Sequence, residues 1–149
     1  MSTLQTLRRH RRVLATVNLT AMMCWTLQSN AVATDIVVSG QGAVLNILAN
    51  ASVDTLTLAN GARLNLGPGA TLSTNSPLSQ SWAGWTTGAG GISKFGPGDL
   101  IISGRMAHTG LTTFGDGTIY AGAANRATSN VLSDASTLDL GLGAILNFA

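Results

Sequence analysis

Few side chains in this 149-residue chain could do chemistry. The acids are Asp35, Asp54, Asp99, Asp116, Asp134 and Asp139, and there is no glutamate. Beyond residue 33 there is one histidine, His108, and no cysteine. A Ser-His-Asp arrangement there would have to use His108, yet no G-x-S-x-G elbow accompanies it. Zinc would need three or four ligands from the same short supply. Paired carboxylates could serve as acid and base. However, Asp54, Asp134 and Asp139 sit beside strand residues and are expected to face solvent. Asp99 and Asp116 flank turn glycines, where aspartate commonly caps the backbone. The run Phe114-Gly115-Asp116-Gly117 lacks the calcium repeat G-G-x-G-x-D. No G-x-x-x-x-G-K-[ST] phosphate loop is present. Trp82 and Trp85 could form a platform for a sugar, or could cover an exposed flank. The residues point away from an enzyme, and no catalytic, cofactor-binding or metal-binding residue is expected.

The N-terminus reads as a targeting segment. RRHRR (8–12) precedes the apolar VLATVNLTAMMCWTL (13–27), and Ala31-Val32-Ala33 offers an A-x-A cleavage pattern before Thr34. That order describes a secretory signal peptide over 1–33. A transmembrane anchor would need roughly 18 or more clean apolar residues, and polar residues dilute this stretch. Removing it takes away Cys24 and half of the basic residues, leaving four against six aspartates. The overall net charge of +2 therefore belongs to the signal, and nucleic acid is not an expected partner. Without disulfides, packing and backbone hydrogen bonds must hold the exported part.

After Thr34 the pattern is that of short strands. Leu45 and Ile47, Leu56 and Leu58, Leu64 and Leu66, and Leu138 and Leu140 are spaced by two, which puts each pair on one strand face. No window shows the spacing of an amphipathic helix. The piece G-A-x-L-[NS] recurs as GAVLN (42–46), GARLN (61–65), GATLS (69–73) and GAILN (143–147). ARLNLGPGATLS (62–73) matches STLDLGLGAILN (136–147) at six of twelve positions, each with G-x-G expected between two leucine-bearing strands. One such strand cannot bury its apolar face alone, but strands wound in coils can stack their apolar rows. Glycines are expected at the corners, where positive φ is needed. The fold expected is an all-β solenoid, with a β-sandwich as the rival. The segments are 34–73, a first set of coils; 74–90, a Ser/Thr/Gly/Trp loop; and 91–149, further strands.

Residues 91–122, GISKFGPGDLIISGRMAHTGLTTFGDGTIYAG, carry a more specific pattern. They resemble the autotransporter-associated β-strand repeat, found in passenger domains of bacterial type V secreted proteins. Gly91, Lys94, Gly96, Gly98, Leu100, Ser103, Gly104, Thr109, Gly110, Thr112, Gly117 and Thr118 stand where that repeat expects them. Met106 and His108 depart from its usual Asn and aromatic, and Asp99 replaces a Thr.

The resemblance implies a right-handed parallel β-helix at the bacterial cell surface or outer membrane, or released from it. It implies an outer-membrane translocator barrel as partner, a region this sequence lacks. The sequence stops at LNFA inside a strand motif, which reads as an N-terminal piece, a truncated reading frame or a degenerate member. The function expected is a non-enzymatic passenger segment, a stalk or adhesin that supports secretion. The other class is the scaffold of a secreted hydrolase whose catalytic domain lies elsewhere. A host surface or glycan could be a further partner, and an uncapped last coil is expected to self-associate edge to edge.

Overall fold

The computed structural model describes residues 5–6, 13–20, 24–27, 31–122, 132 and 136–148. It is a parallel β-solenoid of about four turns. The strands of the first coils are β1 (Gln5–Thr6), β2 (Val13–Thr20), β3 (Cys24–Leu27), β4 (Ala31–Ser39), β5 (Val44–Ile47), β6 (Ala51–Leu58) and β7 (Arg63–Leu66). Those that follow are β8 (Thr71–Asn75), β9 (Gln80–Trp82), β10 (Trp85–Gly88), β11 (Gly91–Phe95), β12 (Leu100–Ile102), β13 (Thr112–Ala121) and β14 (Leu138–Phe148). One sheet is stacked in the order β1-β3-β5-β7-β10; the larger begins β2-β4-β6-β8-β11-β13. All pairings between strands are parallel, which rules out the antiparallel sandwich. There is no helix among the described residues.

Successive coils are offset by about twenty residues: Cys24 lies beside Val44, Val44 beside Arg63, and Gly91 beside Thr71. Alternation with period two then puts the same columns inside in every coil. Leu45 and Leu64 stack with Thr86 of the next coil. Ala51, Leu72, Ile92 and Thr112 form a second column, and Leu58, Trp82, Ile102 and Ala121 a third. The leucines and isoleucines of these columns are essentially inaccessible to water. Each such side chain stabilises the fold by about 1.5–3 kcal/mol relative to exposure.

The expected signal, 1–33, contains β1, β2 and β3, and its cleavage point after Ala33 lies inside β4. The stretch 74–90, expected as a loop, contains β9 and β10. Its Ser, Thr and Gly disguise it, because Gln80, Trp82 and Thr86 face inward while Ser81 and Trp85 face out. Between β8 and β9 the stretch 76–79 leaves the strand path, and 96–99 repeats the excursion one coil later. Gly98 N donates to Ser76 O and Gln80 N to Asp99 O. The two long sequence copies are not structurally equivalent. Gly67 and Gly69 lie between β7 and β8, but Gly141 and Gly143 lie within β14. There the missing side chains let β14 follow β13 past a register shift at Phe114/Asp116.

Glycine has two jobs here. Eight glycines take positive φ; several, such as Gly69 at φ 71°, lie at corners as expected, whereas Gly117 lies within β13. Others permit coil backbones to touch: a Cβ on Gly104 would sit 1.9 Å from the Gly84 carbonyl oxygen. A Cβ on Gly69 would meet nothing within 4 Å. Gly69→Ala is therefore expected to cost only the left-handed backbone penalty, about 1–2 kcal/mol. Gly104→Ala must move backbone and should cost more, about 3 kcal/mol or above. Urea unfolding midpoints of the two variants check the ranking; an equal or reversed order contradicts the stacking described.

Candidate functional site

His108 is fully buried. Its Nδ1 lies 3.0 Å from Thr86 Oγ1 on β10, and its Nε2 lies 2.7 Å from Thr112 Oγ1 on β13. A neutral imidazole has one donor and one acceptor, and two hydroxyls satisfy both. Burial pushes its pKa down to about 4, because desolvation disfavours the cation. No aspartate is hydrogen-bonded to it among the described residues. The ring is a polar tie between strands, sealed from any substrate.

Lys94 is the second buried polar group, at 0% exposure. It stands in the column Val53, Thr74, Lys94, Phe114. Its Nζ donates to Gly96 O and to Asp116 O, both at 2.6 Å. Gly96 has φ 83° and Gly117 φ 81°, and a Cβ on Gly117 would come within 2.5 Å of the ammonium nitrogen. Asp116 Oδ1 accepts the Gly117 N–H. Lys94, Gly96 and Gly117, scattered through the repeat-like pattern, thus form one clamp joining β11 to β13. Burial lowers the lysine pKa, opposed by the charges of Asp116 and Asp99.

Trp82 and Gln80 form a third polar device. β6 pairs with β8 through Ala51–Val53 and with β9 only at Leu58. Between these pairings the excursion at 76–79 takes away the neighbouring strand. Gln80 Oε1 accepts the Leu56 N–H at 3.0 Å, and Trp82 Nε1 donates to Leu56 O at 2.9 Å. Two side chains thereby stand in for a missing strand partner, as buried backbone groups require.

The paired-tryptophan platform does not form, since Trp82 is buried while Trp85 is 46% exposed. Arg63 lies over the Trp85 ring, 5.4 Å from its centroid. The aspartates are dispersed. Asp54 and Asp139 are exposed on β6 and β14; Asp99 is half-buried at a turn, and Asp116, expected at one, is half-buried within β13. Asp35 accepts a hydrogen bond from Thr55. Asp134 lies outside the described residues. No three His, Cys or acidic side chains come together to hold a metal among the described residues. The polar interior that does form ties coils together.

Two stability measurements follow. Lys94→Met would leave the Gly96 and Asp116 carbonyls without their donor, so urea unfolding should show a loss of about 2 kcal/mol or more. For His108 the folded pKa lies below the unfolded value near 6.5. The unfolded chain then takes up the proton first as pH falls. The contribution of neutral His108 is complete above about pH 6.5 and is lost between there and about pH 4. Thermal unfolding of wild type should drop more across that window than that of His108→Gln; parallel pH profiles would contradict the burial of the ring. No protein-family model, curated protein or solved structure matches this chain.

Proposed function

We propose that the chain is a non-enzymatic passenger segment of an autotransporter-type protein, a surface stalk or adhesin-like β-solenoid exported behind residues 1–33. The observation that carries this reading is the Lys94 clamp. Lys94, Gly96 and Gly117, each placed by the repeat-like pattern, act together at one junction between coils. Thr112 of the same pattern holds His108. A segment whose specific residues are spent on joining one coil to the next is suited to being long, stiff and assembled stepwise. Each finished coil offers an open strand edge on which the next can pair. Such assembly outside the cell would support passage through a translocator barrel.

Cleavage after Ala33 would remove β1 to β3 and the start of β4, leaving the rest of β4 paired with β6 at that edge. At the other end, β14 pairs with β13 alone among the described residues. Leu138, Leu140 and Phe148 lie beside Thr112, Phe114 and Ala121, which face inward. They are nevertheless exposed, because no further strand covers them among the described residues. Edge-to-edge association of copies is the expected consequence.

The test of the reading is surface display. The chain, joined to an autotransporter β-barrel and expressed in a Gram-negative host, should become accessible to external protease and begin at Thr34. Retention inside the cell, or an intact N-terminus on the exported protein, contradicts it. In dilute solution the exported protein should sediment as oligomers, and Leu140→Lys with Phe148→Lys should shift it towards monomer. A monomeric wild type would contradict the edge assignment.

A further inference from the structure

Charge is segregated between the two sheets. Lys94 is buried, so Arg63 and Arg105 are the exposed cationic side chains among the described residues. Both lie on the outer face of the smaller sheet. Arg63 is the register partner of Trp85. Arg105 comes one residue before Met106, which bridges Thr86, so it sits beside Trp85 in the next coil. Thr86 N donates to Arg105 O, which fixes that register. The outward column therefore runs Arg63, Trp85, Arg105. The described carboxylates are elsewhere: Asp35, Asp54, Asp116 and Asp139 lie on strands of the larger sheet, and Asp99 adjoins it at β12. Neither arginine forms an ion pair among the described residues.

Beside this column runs a polar one. Asn65 Nδ2 donates to Asn46 Oδ1 at 2.8 Å, and Thr87 Oγ1 lies within 3.5 Å of Asn65 Oδ1. We propose that the outer face formed by Arg63, Trp85 and Arg105, with Asn65 and Thr87 alongside, binds an acidic polysaccharide of the polyuronate type. An exposed indole offers an apolar surface to the C–H face of a sugar ring, and the guanidinium over it restricts its orientation. The two arginines are two strand spacings apart, about 10 Å. A backbone separation of that size lets the two guanidiniums meet carboxylates on different rings of an extended chain, each gripped by two parallel hydrogen bonds. Amide and hydroxyl groups of the neighbouring column reach sugar hydroxyls. Duplex nucleic acid fits less well, because it presents a charge about every 1.7 Å and the face holds two cations. Uncharged glycans would leave those cations unused.

The site lies on the outer face of the smaller sheet, with Arg105 beside the last of its described strands, so it goes beyond the stalk reading and does not depend on the export route. The test is isothermal titration of the full chain with hexagalacturonate, with cellohexaose and a short single-stranded DNA as comparison probes. Hexagalacturonate should bind in a salt-sensitive manner. Trp85→Ala and the double variant Arg63→Gln/Arg105→Gln should each weaken it by about tenfold or more, and Trp85→Phe should recover part of the loss. Unchanged thermal unfolding midpoints would show that these outward substitutions leave the coils intact. Absence of hexagalacturonate binding would overturn the proposal. So would equal affinity in the variants, cellohexaose binding as tightly, or DNA binding more tightly. None of these outcomes bears on surface display, which is read separately by protease access.

Discussion

The parallel register between coils is the constraint from which the other features follow. Once Leu45 lies beside Leu64, and Leu72 beside Ile92, each inward residue has an inward residue above and below it. A short strand that could not bury its own apolar face becomes one rung of a continuous interior. The same stacking brings backbone against backbone at the corners, which excludes a side chain at Gly104. Leu138, Leu140 and Phe148 of β14 continue inward columns of β13 and have no strand on their other side among the described residues.

The polar interior is a consequence of the same rule. An excursion such as 76–79 removes a strand partner, and the exposed amide and carbonyl of Leu56 must find others. Gln80 and Trp82 supply them from within. Where β11 meets β13, a backbone carbonyl from each coil is gathered by Lys94. A buried ammonium is costly unless it is well paired, so the clamp depends on the glycines that shape it. His108 follows the same logic between Thr86 and Thr112. Lysine and histidine, residue types usually associated with chemistry, are here drawn into the wall as ties between coils.

The all-β solenoid was legible because spacing-two leucines and the G-A-x-L piece report directly on strand faces and corners. The twenty-residue coil was harder to see. It is present in pairs such as Gly84 with Gly104 and Pro77 with Pro97, but excursions shift the offset to 19 in one coil and 22 in another. The strands at 80–82 and 85–88 were hidden because a buried Gln and Thr look like loop residues until their partners are known. Trp82 and Trp85 could not be told apart by spacing, since the corner between them turns one in and the other out. The clamp was half visible: the repeat-like pattern marked Lys94 and the glycines, but gave no reason for them. The cationic column was invisible, because Arg63, Trp85 and Arg105 are neighbours only after the coils stack.

The register itself is open to direct measurement. In a Cys24→Ser background, Ser52→Cys with Ser73→Cys places two thiols on directly paired residues of β6 and β8. Adjacent strands lie about 4.8 Å apart, within the Cα separation of about 4.4–6.8 Å that a disulfide tolerates. Mild oxidation should close an intramolecular disulfide in this pair, while Ser52→Cys with Thr71→Cys, displaced by two residues, should stay reduced. Cross-linking of the displaced pair, or failure of the matched pair in folded protein, would contradict the parallel register on which the solenoid rests.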